Sequence, residues 1–432
     1  MIKKLLSTLL FIPFFIYPSQ QLSQTDVVPW RHNFQKLKDA QSVHACQALN
    51  RWQKLGYNPD ITLLEKNSAA IFQKNGPTLF IHGWLGGKDA YKSYKLCSSD
   101  NIPGDVVTFN FPDASYWFKQ TIFYGMPVTK SSFAGKLDIL ALLAVLKTLH
   151  DIECLPAVWY PHSRGAGVTQ AVVAILNKPE SNEQEILNEW EITEQIRTDI
   201  LSTLKIVYLL TPLTNFDSAL NKQIQTKIAS LDYLFPSLRT KIIFPLLKNH
   251  ILPWLTHYDP QQKNPIDYIA QWQGLKAAVW LHLEENDCDV SNDNDENLIE
   301  LLKGVIPEKS LYVSCVNNGG HNAYEIFINT IIHSFYFLHD CISCKSEVPL
   351  HENIPLNNAR LDYKKNIKQH LSDFSQTSTK NKGFWEHRMT QRLKNIFLVL
   401  CFGSLLYYLN KSSYGICGFH VSLTQHYFSI YK

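Results

Sequence analysis

Charge is scarce in this sequence. Of 432 residues 18% are charged, and the 41 lysines and arginines form no dense cluster with interleaved aromatics. Phosphate recognition needs such a basic surface, so no nucleic-acid partner is expected. Internal repeats are also missing. Cys341 and Cys344 have no second cysteine pair at zinc-ribbon spacing, so they read as a local disulfide or plain thiols; no metal and no cofactor is expected. The cysteines number nine, so at least one is unpaired within the chain or pairs between chains. Wholesale disorder is excluded by a hydrophobic content of 45%.

Long apolar runs are lacking as well. Lys3 and Lys4 precede a short apolar run at 5–17, the layout of a secretory signal. Pro13 and the absence of a polar face argue against a buried first helix. The polar stretch after it has no small-x-small cleavage site, so residues 1–24 read as a signal peptide or an uncleaved signal anchor. Either reading implies export or membrane association. Residues 346–432 form a polar, net positive tail around a second apolar run at 396–409. At 1.5 Å per helical residue that run is too short to cross a ~30 Å hydrocarbon core comfortably, and it reads as interfacial or as a helix docked on the main domain.

The middle of the chain is rich in pattern. Residues 25–70 read as an N-terminal helical segment, amphipathic over 43–55 and ended by Gly56. From 71 to 345, apolar runs without polar alternation occur at 78–82, 105–111, 157–160, 204–210, 277–283 and 310–316. Helical periodicity lies between them, above all at 136–150. Such runs predict a doubly wound, mostly parallel α/β sheet. The stretch 213–265 carries helical patterns only, which predicts a helical cap over the strand ends.

Chemistry collects at those ends. His82-Gly83-Trp84-Leu85-Gly86 follows the first run, and Pro161-His162-Ser163-Arg164-Gly165 follows the third. Asp287 follows the run at 277–283, and Gly319-Gly320-His321 follows the last. A serine hydroxyl is a weak nucleophile unless a base takes its proton and a third group orients that base. Serine, acid and histidine stand here in that order, each after a strand.

In this order the motifs resemble the α/β-hydrolase superfamily, serine esterases and lipases in particular, over about residues 70–340. The resemblance implies Ser163 as nucleophile, Asp287 as acid and His321 as base, with the backbone N–H groups of Trp84 and Arg164 as oxyanion hole. It implies a small-molecule or lipid acyl substrate. Pro161 departs from the family's G-x-S-x-G, because proline is larger than glycine and lacks an N–H. Asp289 and Asp217 remain alternative acids. His82 and His162 read as structural, and Asp113 as a turn residue or pocket lining. The aromatics Tyr233, Phe235, Phe244, Trp254 and Tyr258 make the cap apolar, fitting a hydrophobic acyl group or the cap's own core. Two other readings stay open: a catalytically inactive, membrane-tethered binding protein, and a peptidase of the same fold.

Overall fold

The computed structural model describes residues 29–65, 76–84, 87–88, 105–112, 132–227, 237, 239–284, 287, 295–316 and 321. All belong to the first of the chain's two units, Met1–Asn353. The runs at 5–17 and 396–409, Cys341, Cys344, Asp113, Asp289, Tyr233, Phe235, the Gly319-Gly320 pair and the side chain of Trp254 lie outside the described residues. Among the described residues no helix is long and apolar enough to cross a membrane.

Seven strands form one sheet: β1 Thr62–Leu64, β2 Thr78–Ile81, β3 Val106–Thr108, β4 Val158–Pro161, β5 Ile206–Leu210, β6 Ala278–Glu284 and β7 Leu311–Val316. Their order is β1-β3-β2-β4-β5-β6-β7. Every neighbouring pair is parallel except β1 with β3. β2 and β5 are buried at every residue, as the unbroken apolar runs require.

The N-terminal segment belongs to this architecture. Helices α1 (Pro29–Gln35) and α2 (Val43–Leu55) are followed by β1. Ser42 caps α2 by accepting the Ala45 N–H, and Gly56 ends it at φ 72°, a left-handed turn that glycine tolerates. Trp30, Phe34, Leu55 and Tyr57 are buried in the main core. Asp105, at the foot of β3, receives Trp30 Nε1 at 3.0 Å and both ends of the Arg31 guanidinium at 2.7 and 2.6 Å. The segment read as helical therefore also supplies an edge strand.

Two helices carry the centre. In α3 (Lys136–Asp151) the residues from Ala141 to Leu146 are all buried, and fully burying one leucine or valine contributes roughly 1.5–3 kcal/mol. In α4 (Arg164–Asn177) every residue from Arg164 to Leu176 is buried. Small side chains allow that approach. A Cβ on Gly165 would stand 2.4 Å from the Ile81 carbonyl oxygen and 2.6 Å from that of His82, so only glycine fits where α4 crosses the end of β2.

Helices α5 (Ser181–Glu189) and α6 (Glu194–Thr203) lead into β5; after it come α7 (Phe216–Lys227) and a second helical stretch, wound as π-helix over Arg239–Ile243 and Leu247–Ile251 and as α-helix over Phe244–Leu246 and Leu252–Leu255. Pro245 and Pro253 cannot donate to an i−4 carbonyl, which suits an irregular winding. Lys248 Nζ meets Asp217 Oδ2 at 2.5 Å, and Arg239 Nη1 donates to Asn221 Oδ1 at 2.7 Å, tying this stretch to α7.

Candidate active site

Ser163 sits on the bend between β4 and α4, with φ 53° and ψ −118°. A non-glycine residue there is strained, and such strain is held in place by its surroundings. The bonds that hold it are explicit. Ser163 N–H donates to the Leu210 carbonyl at 2.9 Å, and its own carbonyl accepts from Gly167 N–H at 3.1 Å and Leu213 N–H at 3.0 Å. Gly83 lies against the bend: a Cβ on it would stand 3.0 Å from both His162 Nδ1 and Ser163 Cβ.

Pro161 is accommodated two residues before the serine. It pairs with Ile81 of β2, whose carbonyl accepts the His162 N–H at 3.0 Å. The pairing of β4 with β5 covers Val158 and Trp159 and resumes at a bridge between His162 and Leu210. The missing donor thus falls within a gap in that ladder, and the serine bend forms without the first glycine of the motif.

His321, beyond β7, brings the strand ends together. Its Nε2 is 2.7 Å from Ser163 Oγ, and its Nδ1 is 2.6 Å from Asp287 Oδ2. The carboxylate accepts from Nδ1–H, which leaves Nε2 to accept from the serine hydroxyl. Ser163 and Asp287 are buried, at 7% and 4% exposure. Of the other acids considered, Asp289 lies outside the described residues. Asp217 is held by Lys248 and by the Tyr258 hydroxyl. Lys222 Nζ donates to the Asp287 carbonyl oxygen, fixing the acid's backbone to α7.

Two further histidines hold the frame. His82 Nδ1–H donates to the Gly83 carbonyl at 2.8 Å, and its Nε2 accepts from Phe111 N–H at 3.0 Å. The ring therefore pins the glycine turn to the chain beyond β3. His162 Nε2–H donates to the His321 carbonyl at 3.3 Å. Burial first, and the neighbouring His321 second, push its pKa down to about 3, so it stays neutral. Trp84 is exposed at 47% and its ring lies 5.4 Å from that of Phe133. Arg164 is buried, with Nη1 3.8 Å from Asp138 Oδ2. Among the described residues no group of His, Cys, Asp and Glu could hold a metal ion.

Glu284, at the end of β6, is a buried carboxyl that no motif in the sequence marks. Burial, with Asp287 as a second cause, pushes its pKa up to about 8. The folded chain keeps a proton that the unfolded chain releases near 4.5, so stability is lost as pH rises from 4.5 to about 8. Glu284→Gln lacks that loss. Its stability relative to the parent is expected to be level near pH 4.5 and to grow by about 1.4 kcal/mol per pH unit up to a plateau above 8. Urea unfolding of both proteins across that range measures it; a pH-independent difference would contradict the buried neutral carboxyl.

The strand order, with a serine bend after β4, an acid after β6 and a histidine after β7, is that of the α/β-hydrolase fold. No protein-family model and no curated protein matches the sequence. Among solved structures, an esterase of Pyrococcus furiosus is similar over 67% of this chain and 94% of its own, at 13% identity and a TM-score of 0.37. A proline iminopeptidase of Mycobacterium smegmatis is similar over 65% and 95%, at 10% identity and a TM-score of 0.39. A 2,6-dihydroxy-pseudo-oxynicotine hydrolase is similar over 67% of this chain at 13% identity and a TM-score of 0.39, and the chain spans 66% of its length. At such overlap the fold assignment rests on the chain's own strand order.

Proposed function

We propose that this protein is a serine hydrolase that cleaves a carboxylic ester, thioester or lipid acyl bond through an acyl-enzyme. The observation that carries the reading is the hydrogen-bonded line from Asp287 through His321 to Ser163, with the serine on a strained bend. In this reading Ser163 Oγ attacks the acyl carbon while its proton passes to His321 Nε2. Asp287 holds the imidazole in the needed tautomer and stabilises the imidazolium. The backbone N–H groups of Trp84 and Arg164 receive the oxyanion, and the N-terminus of α4 favours the negative charge. His321 then returns the proton to the leaving oxygen, or to the leaving sulfur of a thioester, as its bond to the acyl carbon breaks. Water, deprotonated by the same histidine, releases the acid and restores Ser163.

An apolar acyl group is supported by an aromatic cluster that Trp84 joins to the turn after β2. Phe133, Phe216 and Tyr258 pack with centroids 4.6 to 6.1 Å apart. Purified full-length protein is expected to hydrolyse p-nitrophenyl esters at least about a hundredfold faster than the matching p-nitroanilides, because a peptidase would have to supply leaving-group protonation to a poorer leaving group. Equal ester and anilide turnover would favour the peptidase reading. Absence of both in folded protein would remove the hydrolase reading.

A further inference from the structure

Phe133 occupies backbone that a phenylalanine seldom adopts. Its φ is 51°, and that of the next residue, Ala134, is 67°. Successive left-handed residues that are not glycine persist only where the surroundings fix them. Here Ala134 N–H donates to Asp138 Oδ2 at 2.8 Å, and Asp138 N–H donates to Ser132 Oγ at 2.9 Å. Gln262 Nε2 donates to the Phe133 carbonyl at 3.3 Å.

The same aspartate reaches the serine bend. Asp138 and Arg164 are both buried, 3.8 Å apart, and the guanidinium lies 4.7 Å from the centre of the Phe111 ring. The residue next to Ser163 is thereby tied to the turn that carries Phe133. The Phe133 ring in turn bridges two pieces of the site. On one side is Trp84, in the turn that presses on Ser163 through Gly83. On the other are Phe216, 4.9 Å away, and Tyr258, 6.1 Å away, at the base of the cap. Phe216 stands three residues beyond Leu213, whose N–H bonds the Ser163 carbonyl. Trp84 is exposed while the other three rings are buried, so the cluster runs from the surface inward.

We propose that Phe133 limits the length of the acyl group the Ser163 site accepts, and that Asp138 is the positioning residue that holds its ring in place. The proposal rests on the hydrolase reading and deepens it. A ring packed between the oxyanion turn and the cap base occupies room that a longer chain would need, so the parent favours short acyl groups. The strained turn is what keeps the ring there.

The test is the kcat/KM of full-length protein on p-nitrophenyl esters from acetate to decanoate, for the parent, Phe133→Ala, Phe133→Leu and Asp138→Asn. Phe133→Ala is expected to raise the octanoate-to-acetate ratio by about tenfold or more, since each added two-carbon unit that finds apolar contact is worth up to roughly tenfold. Phe133→Leu should raise it less, and because the readout is the ratio of two esters within each variant, any change common to both esters cancels. Asp138→Asn should move the same ratio in the same direction with Phe133 intact, a readout that a purely structural aspartate would not shift. If Phe133→Ala does not fold, Phe133→Leu decides. Superposable chain-length profiles with acetate turnover retained overturn the inference and leave the hydrolase reading standing. Absence of acetate turnover in the folded parent overturns the hydrolase reading, and this inference with it.

Discussion

Ser163→Ala is expected to lower kcat/KM for an activated ester by about 10⁴–10⁶-fold, with a melting temperature within a few degrees of the parent. Oγ is the atom that His321 Nε2 meets at 2.7 Å, and without it the base has nothing to activate. The bend itself is held by backbone bonds to Leu210, Gly167 and Leu213, none of which involves the hydroxyl. His321→Ala should cost about as much, and the double variant little more than either one. Residues that act as a unit are strongly non-additive. Additive losses, or a Ser163→Ala protein that keeps a tenth of the parent's rate, would mean that hydrolysis proceeds elsewhere.

Asp287→Asn is expected to cost about 10⁴-fold. An asparagine amide in this place donates to Nδ1, which moves the imidazole proton to Nε2, so that the ring no longer accepts from Ser163. The geometry survives and the tautomer is wrong. Asp217→Asn should keep the rate within about tenfold, because Asp217 is engaged by Lys248 and Tyr258 while Asp287 Oδ2 meets the histidine. Steady-state kinetics on the two variants separates them. A large loss in Asp217→Asn beside a mild one in Asp287→Asn would reverse the assignment of the acid.

The sequence announced the sheet because six of its strands are apolar runs that alternate with helices, and this pattern survives any error of a residue or two at the ends. β1 left no such mark. Thr62–Leu64 is a three-residue, half-buried, antiparallel edge strand, too short to show a period. The order of Ser163, Asp287 and His321 along the chain was legible from the turns that carry them. Pro161 was less so, since whether a lost donor matters depends on which neighbouring strand it would have faced.

The supports of the site were harder to read. Asp138 interrupts the apolar face of α3, and Arg164 is the one charged residue of α4; a charge in each place is the trace of their buried pair. Nothing in Ser132-Phe133-Ala134 betrays its left-handed backbone, because neither Phe133 nor Ala134 is a residue that favours it. Glu284 resembles any strand-end glutamate until its burial beside Asp287 is seen.

The central claim is that Ser163 is a nucleophile activated by His321. It is tested most directly by treating full-length folded protein with a fluorophosphonate and reading the peptides by mass spectrometry. The account predicts a single stoichiometric phosphonyl adduct on Ser163, absent from Ser163→Ala and strongly slowed in His321→Ala. No adduct on the folded parent, or one that persists in Ser163→Ala, would contradict it.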